Sequence, residues 1–252
     1  MFTACLACLR ILGFFLLFLL ICLTVPLANW LLGRKNGFQV HRQGMFLTHR
    51  LLGIKLRVKG VLPESPALIF LNHPSYLDIF FNIGKRPAVM VAADQFKHWP
   101  LIGWLGQSLG TIWVKRHCPK AGKQLRKEIV KRFNDGASIY TCPEGRTSGS
   151  HDLHPVKPGL FAEAVRNEIP VVFFSIRYSS PDIPYFHDLK KGFLPHFFRH
   201  LWKTLTHKQI TVDVRISEPR HLLNVDQGIN DYYRFHHWHL RRVLTKPVSI
   251  VV

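Results

Sequence analysis

The chain has 252 residues, of which 47% are hydrophobic, and this is enough for one substantial domain together with an anchor. It carries 34 Lys and Arg residues against 15 Asp and Glu residues, so its formal net charge at pH 7 is +19. That charge predicts acidic partners, either anionic lipid or nucleic acid, and does not choose between them. The five cysteines are odd in number and three lie in or beside the apolar N-terminal segment, so no disulfide framework is indicated. Cys5 and Cys8 have C-x-x-C spacing, but the lack of a second such pair argues against a metal or redox site.

An apolar segment near the N-terminus predicts a membrane anchor. Residues 11–33 contain no charged side chain, and this run of 23 residues exceeds the roughly 20 that a helix needs to span a bilayer core. The length of the run and the lack of a small-residue cleavage site favour an uncleaved anchor over a signal peptide. Pro26 and Asn29 also allow a kinked, re-entrant or interfacial pair of helices, so a single span and a helical hairpin both stay open.

Basic residues follow the anchor, with no acidic residue before Glu64. This excess predicts that the main domain lies on the cytoplasmic face of a membrane and binds anionic headgroups. We therefore divide the chain into a membrane anchor, residues 1–36, and a cytoplasmic-face α/β domain, residues 37–252. The basic residues concerned are Arg34, Lys35, Arg42, Arg50, Lys55, Arg57 and Lys59.

Beyond the anchor, short apolar runs of β type alternate with helical patterns. This alternation predicts a single α/β domain with a mixed, mostly parallel central sheet flanked by helices. Apolar residues at helical spacing run from Leu125 to Phe133, and Gly136 is predicted to end this helix. The predicted strands are residues 55–59, 67–71, 88–93, 111–115, 137–142, 170–177 and 210–216.

Two aromatic stretches have two possible interpretations, and a third stretch predicts a helix. Residues 96–105 and 193–208 are rich in aromatic residues, which pack in a core or lie in the bilayer interface. Residues 226–244 predict a closing helix with Asp226 as its N-cap. The histidines of that helix lack the i, i+4 spacing of a helical metal site, and we predict that His236, His237 and His239 are surface residues.

A histidine and an aspartate follow the second predicted strand, and they are candidates for a catalytic pair. Pro74 is suited to the first position of a helix, which would leave His73 at the strand-to-helix corner and Asp78 in the second turn. Residues five apart on one helix lie about 140° apart, so only the corner lets the two side chains meet. Asp78 would then accept from one ring nitrogen and leave the other as a general base. A core histidine beside an unrelated aspartate is the competing interpretation.

Two more polar segments follow predicted strands, where α/β folds bind ligands. Glu144 can orient a hydroxyl or a cation, Gly145 permits close approach of the backbone, and Arg146 offers a fork for phosphate. A surface turn is the alternative interpretation of this segment. Upstream, the strand-like run from Gly110 ends at Lys115 and Arg116.

In this order the segments resemble the glycerolipid acyltransferases typified by 1-acyl-glycerol-3-phosphate acyltransferases, from the anchor to about Glu218. The family motif N-H-x-S-x-x-D is met in full, and G-x-x-F-I-x-R, F-P-E-G-T-R-S and V-P-I-x-P are met with changes. In the third motif, Arg146 and Thr147 stand in the reverse of the family's Thr-Arg order. Lys115 stands where the second motif often has Asp, and Phe173 replaces the last proline of the fourth motif. The matching residues are Asn72, His73, Ser75 and Asp78, then Gly110, Trp113, Val114 and Arg116, then residues 142–148, then residues 169–173.

The resemblance implies acyl transfer from acyl-CoA or acyl carrier protein, the thioester co-substrate, to the hydroxyl of a membrane lysolipid, without a metal, a further cofactor or nucleic acid. His73 would be the base, Asp78 its orienter and Ser75 a helix cap. The exchange at Arg146 leaves the acceptor open between lysophosphatidate, lyso-ornithine lipid and other lysolipids. The resemblance also implies a location at a bacterial-type inner membrane. The implied acceptor-binding residues are Arg116, Glu144, Gly145, Arg146 and Thr147.

Two other functions compete with this interpretation. A membrane-bound esterase or phosphatase would use similar residues with water as the acceptor, although the sequence shows no clear metal cluster. A membrane-surface scaffold that binds anionic lipid or nucleic acid would explain the charge and the anchor, and it would make the ordered motifs accidental.

Overall fold

A seven-stranded sheet forms the centre of the protein. The computed structural model describes residues 2–81, 84, 86–115, 118, 120–186 and 193–241. The strand order is β1-β7-β6-β2-β5-β3-β4, and every neighbouring pair is parallel except β6 and β7. The predicted mixed, mostly parallel sheet is confirmed, as are all seven predicted strands. The strands are β1 (Ile54–Lys59), β2 (Leu68–Leu71), β3 (Ala88–Ala93), β4 (Ile112–Val114), β5 (Ser138–Thr141), β6 (Val171–Tyr178) and β7 (Ile210–Ile216).

Helices cover both faces of this sheet. The helices α1, α2 and α6 pack on one face, and α4, α5 and α7 pack on the other. Strands covered on both faces read as continuous apolar runs, and β2 is accordingly buried at all four residues. The helices are α1 (Phe2–Leu32), α2 (Arg34–Leu52), α3 (Ile102–Ser108), α4 (Ala121–Asn134), α5 (Gly159–Arg166), α6 (Phe193–Thr206) and α7 (Val225–Arg241), with short 3₁₀ helices at Tyr76–Phe80 and Asp94–His98.

The first two helices form a close-packed hairpin joined at Gly33. At Gly44 of α2 a Cβ atom would lie 2.6 Å from Ile21 of α1, so glycine allows the two helices to approach closely. Residues 4–32 are long and apolar enough to cross a membrane, and only 22% of the most apolar window is buried inside the protein. Arg10 is a charged residue within this apolar helix. Its guanidinium donates to carbonyls at and just after the end of α6, including those of Leu205 and Lys208 at 3.0 Å. The division proposed between residues 36 and 37 falls within α2 and stays a prediction.

Several local predictions are wrong. Pro74 lies outside the helix that follows β2, because the N-cap is Ser75 and the helix is a 3₁₀ helix starting at Tyr76. The closing helix begins at Val225, and the side chain of Asn224, not Asp226, caps it by accepting from the backbone N–H of Gln227 at 2.8 Å. Residues 242–244 of that prediction lie outside the described residues.

The prediction of exposed histidines on α7 is also partly wrong. His236 and His239 are 0% exposed, whereas His237 is exposed. Positions 232, 236 and 239 share one face of a helix, and Tyr232 on that face packs edge-on against Phe173 of β6. The face that carries these two histidines is therefore the one packed against the sheet.

Phe161 of α5 provides a test of the core on this side of the sheet. Its ring is fully buried, 4.5 Å from Phe70 and 6.2 Å from Tyr232 between ring centroids. We expect Phe161→Ala to lower the free energy of unfolding by about 3–5 kcal/mol, because it removes buried apolar area and leaves a cavity. Urea unfolding in detergent measures this. The matched control Phe198→Ala, at a ring 56% exposed, should change stability by less than about 1 kcal/mol, and equal losses would contradict the packing described.

Candidate active site

The corner after β2 is held in place by hydrogen bonds to distant parts of the chain. The Asn72 amide donates to the carbonyl of Ile176 at 2.9 Å and accepts from the N–H of the same residue at 2.7 Å, so it pairs with β6 as a backbone group would. The N–H of Ser148 donates to the carbonyl of His73 at 2.7 Å. These bonds join the corner to β6 and to the loop after β5.

His73 and Asp78 meet at this corner as the sequence predicts. The ring atom Nδ1 of His73 donates to Oδ2 of Asp78 at 2.8 Å, and Nε2 has no hydrogen-bond partner among the described residues. The Asp78 side chain is 4% exposed and the His73 side chain is 22% exposed. Because a carboxylate only accepts, this bond keeps the proton on Nδ1 and leaves Nε2 as the basic nitrogen.

Two further donors hold the Asp78 carboxylate. The backbone N–H of Ser75 donates to Oδ2 at 3.0 Å, and the hydroxyl of Tyr178 donates to Oδ1 at 2.6 Å. Burial, together with the charge of Asp78, raises the pKa of Tyr178 well above its usual value, so the phenol keeps its proton. The Ser75 hydroxyl accepts from the N–H of Leu77 at 3.5 Å, in agreement with the predicted helix-capping role.

Glu144 lies next to this centre and is almost fully buried. Its Oε1 accepts from the hydroxyl of Tyr232 at 3.0 Å, and its Oε2 accepts from the N–H of His154 at 3.0 Å. Burial raises the pKa of Glu144, and the hydrogen bonds from His154 and Tyr232 oppose that shift. The Tyr232 hydroxyl also lies 3.2 Å from the carbonyl of Leu71. Glu144 therefore ties the loop after β5 to α7 and to the end of β2.

The loop from Gly145 onwards presents cations to solvent. Gly145 has φ 73°, a left-handed conformation that favours glycine, and a Cβ atom there would lie 3.1 Å from Nζ of Lys157. Arg146 is exposed, and its Nη2 donates to Nδ1 of His154 at 3.2 Å. Thr147, the next residue, is partly exposed. The loop thus combines Arg146 and Lys157 at the rim of the site.

The second predicted ligand-binding segment ends at the same edge of the sheet. The strands β2, β5, β3 and β4 are parallel, so Lys115, which follows β4, lies at the carboxyl edge with His73 and Glu144. Gly110, with φ 78°, precedes β4, and a Cβ atom there would lie 2.3 Å from a guanidinium nitrogen of Arg34. Arg116 lies outside the described residues.

Three residues of the site were not identified from the sequence. Tyr178 and Tyr232 contact the two buried carboxylates over separations of 100 and 88 residues, and no local spacing reveals such contacts. Lys157 follows the third motif, and its place beside Gly145 depends on the fold of the intervening loop. Cys142, by contrast, is a conspicuous residue without a nucleophilic role, because burial and the charges of Asp78 and Glu144 raise the pKa of its thiol well above the usual value.

The bond between Tyr232 and Glu144 predicts a stability effect that depends on pH. Folding raises the pKa of Glu144, so this group favours the fold most below its ordinary pKa and loses that contribution as the pH rises through the raised value. The Tyr232 hydroxyl compensates the charged form. We expect Tyr232→Phe to lower the free energy of unfolding by about 1–3 kcal/mol at neutral pH, and by less at about pH 4, where Glu144 is protonated.

Urea unfolding of the variant and the parent protein at the two pH values measures this difference. Tyr233→Phe serves as the control, because the Tyr233 hydroxyl contacts backbone groups of Val156 and His154 instead of a carboxylate. A loss for Tyr232→Phe that is the same at both pH values would contradict the role assigned to Glu144.

Comparison with known proteins identifies relatives of this chain. The family profile described as Acyltransferase matches residues 53–177. A 1-acyl-sn-glycerol-3-phosphate acyltransferase of Neisseria gonorrhoeae is 29% identical over 170 residues, which cover 65% of this chain and 64% of that protein. The lyso-ornithine lipid O-acyltransferase of Pseudomonas aeruginosa is 26% identical over 170 residues, with coverages of 67% and 64%.

The match to a solved structure extends over nearly the whole fold. The crystal structure of the 1-acyl-sn-glycerophosphate acyltransferase PlsC from Thermotoga maritima has a TM-score of 0.70, covers 97% of this chain and 98% of that chain, and is 15% identical. The aligned region spans less than two thirds of the length of each of the two curated relatives. Motifs, domain match and fold agree, and the chain belongs to the glycerolipid acyltransferase family.

Proposed function

We propose that the protein is a membrane-bound O-acyltransferase that moves a fatty acyl group from an acyl thioester to the hydroxyl of a lysolipid. The acceptor is a molecule such as 1-acyl-glycerol-3-phosphate, which would yield phosphatidate for phospholipid synthesis. The observation that carries this proposal is the 2.8 Å bond between His73 and the buried carboxylate of Asp78. In a chain of this family, that bond leaves Nε2 of an accessible imidazole as a base.

The reaction is a direct transfer. Nε2 of His73 removes the proton of the acceptor hydroxyl as its oxygen attacks the thioester carbonyl. The C–S bond breaks, and the imidazolium returns the proton to the leaving thiolate. Asp78 keeps the ring in the required tautomer and stabilises the imidazolium, while Tyr178 and the N–H of Ser75 hold Asp78. An acyl-enzyme is not needed, because Ser75 is a buried helix cap and burial keeps the Cys142 thiol protonated.

The rim of the site supplies groups for an acidic headgroup. Arg146 and Lys157 lie on the loop around Gly145, and a guanidinium and an ammonium there suit a phosphate or a carboxylate. Arg116 and Thr147 stay predicted contacts of the acceptor. The Glu144 carboxylate acts through the loop that it holds, since both of its oxygens already accept hydrogen bonds. Coenzyme A and acyl carrier protein are both suitable carriers of the acyl group.

A second acceptor is favoured by one specific observation. The exchange of Arg146 and Thr147 moves the guanidinium by one position, and in this structure Arg146 is exposed beside His154 instead of directed to the corner. One of the relatives reported above is named a lyso-ornithine lipid O-acyltransferase. Lyso-ornithine lipid is therefore the alternative acceptor, and the same His73 chemistry applies to it.

The exposed apolar side chains support a location of the protein at the membrane. Most of the large apolar side chains of α1 are exposed, among them Leu12 and Trp30. Trp104 of α3 and Trp202 of α6 are also partly exposed, and indole rings favour the membrane–water interface. We place α1 in the bilayer and the domain on the cytoplasmic face, where basic residues contact anionic headgroups.

Replacement of the base tests the proposed reaction. We expect His73→Ala to lower the acyl-transfer rate at least about a hundredfold, since a positioned general base contributes about 10²–10⁴-fold. The purified protein is incubated with acyl-CoA or acyl carrier protein and a panel of lysolipids, and mass spectrometry identifies the product. The control is His237→Ala, at an exposed histidine of α7. Near-normal transfer by His73→Ala, or loss of thioester without any lysolipid, would contradict the proposal, the latter in favour of a hydrolase.

Tyr178 is a positioning residue in this mechanism. Tyr178→Phe removes a 2.6 Å bond to Asp78 and keeps the ring. We expect kcat to fall about ten- to a hundredfold with little change in KM, because a hydrogen bond to a charged group contributes about 1.5–3 kcal/mol. Steady-state kinetics separate the two constants. Tyr185→Phe removes a phenol outside the Asp78 network and should keep the parent kcat; a rise in KM alone for Tyr178→Phe would indicate a substrate contact instead.

A further inference from the structure

A basic cleft lies at the edge of the sheet opposite to His73. Gly110 precedes β4, so it lies at the amino edge of the parallel strands, whereas His73 follows β2 at their carboxyl edge. The cleft has a volume of about 410 Å³ and is therefore separate from the candidate active site. Its lining includes Asn29 and Trp30 of α1, Arg34 of α2, Gly110, and Arg132 of α4.

Two guanidinium groups converge in this cleft. A Cβ atom at Gly110 would lie 2.3 Å from Nη2 of Arg34 and 3.7 Å from Nη1 of Arg132. Because both distances end at the same point, the two groups lie close together beside the backbone of Gly110. The absence of a side chain leaves that space open, and the φ of 78° also favours glycine. The cleft thus presents two planar hydrogen-bonding forks side by side.

The charge of these groups is only partly neutralised. Glu128 accepts from Nε of Arg132 at 2.9 Å, whereas the side chain of Arg34 has no hydrogen bond or ion pair within the described part of the chain. Arg34 and Lys35 also stand in the first turn of α2 without an acidic residue, where the helix dipole disfavours cations. Like charges so close together repel each other. An anion in the cleft would offset both unfavourable interactions.

The walls of the cleft are fixed to one another by Asn29. Its Nδ2 donates to the carbonyl of Ser108, the last residue of α3, at 2.8 Å. Its Oδ1 lies against Gly37 of α2, where a Cβ atom would clash with it. One side chain of α1 therefore holds α2 and α3 beside it. The position of Arg34 relative to Gly110 follows from this packing of helices.

Exposed apolar side chains continue from the cleft along α1. Trp30, which lines the cleft, is 80% exposed, and Leu27 and Leu31 are exposed beside it. Trp104 of α3 is also exposed, and α3 packs against α1. Indole rings favour the membrane–water interface, where headgroups meet hydrocarbon. An anion in this cleft would have apolar surface next to it, which suits a lipid better than a free ion.

We propose that this cleft binds the phosphate of one anionic phospholipid of the membrane. The guanidinium groups of Arg34 and Arg132 bind the phosphate oxygens, and the acyl chains of the lipid lie along α1 past Trp30. The bound lipid holds the turn at Gly33 at the level of the headgroups. This proposal rests on the membrane location proposed above and adds to it a single headgroup site, at the edge of the sheet away from His73.

Binding is measured without an acyl donor, so the test is independent of the transfer reaction. Full-length protein in a neutral detergent is titrated with dihexanoyl phosphatidylglycerol, dihexanoyl phosphatidylcholine and sodium phosphate at matched ionic strength, while melting temperature and heat of binding are recorded. We expect phosphatidylglycerol to bind most tightly. Arg34→Gln and Arg132→Gln should each weaken its binding at least about tenfold, because each removes charged donors to the phosphate.

Two control variants locate the site. Arg50→Gln makes the same charge change on an exposed arginine at the far end of α2 and should bind as the parent does. His73→Ala should also bind phosphatidylglycerol as the parent does, because the cleft lies at the other edge of the sheet. Flotation of the full-length protein with vesicles of phosphatidylcholine and phosphatidylglycerol tests the membrane location by itself, so its failure is distinct from failure of the headgroup site.

Three results would overturn the headgroup site. Equal affinities for phosphatidylglycerol and phosphatidylcholine would show that the cleft does not select an anionic lipid. Phosphate binding as tight as that of phosphatidylglycerol would identify an ion site without a lipid. Equal losses for Arg34→Gln and Arg50→Gln would indicate a diffuse attraction to the whole basic surface. Should Arg132→Gln not fold, Arg34→Gln decides alone, since it alters an exposed side chain.

Discussion

The buried carboxylate of Asp78 is the constraint on which the site depends. A charge at this depth is costly unless several donors surround it, and the chain supplies an imidazole N–H, a backbone N–H and a phenol. These donors come from the corner after β2, from the cap of the 3₁₀ helix and from the end of β6. Satisfying one charge therefore fixes the relative positions of three segments. The proposed catalytic tautomer of His73 follows from the same constraint.

Glu144 has a comparable role for the loop that borders the site. Its two oxygens hold the N–H of His154 and the hydroxyl of Tyr232, so a motif glutamate that suggests substrate contact is used internally. The loop it anchors carries Arg146 and Lys157 to the rim. The two buried carboxylates thus have different structural roles, because Asp78 orients the imidazole of His73 and Glu144 holds the loop that carries Arg146 and Lys157.

Strand β6 contributes side chains to both layers of the protein. Alternate residues of this strand face opposite layers, so Tyr178 contacts Asp78 after β2 while Ser175 and Arg177 face α7. The hairpin of α1 and α2 covers the other layer, and the exposed apolar side chains of α1 lie on that side of the same sheet.

The sequence by itself determined the sheet class, all seven strands and the meeting of His73 with Asp78, because apolar runs and a strand-to-helix corner are local features. It also determined the long apolar helix near the N-terminus. Only the tertiary structure decided the roles of Tyr178, Tyr232 and Lys157, and the burial of His236 and His239, because these depend on contacts between segments far apart in the chain. Which face of α7 meets the sheet is a matter of packing, and an amphipathic pattern interrupted by histidines does not reveal it.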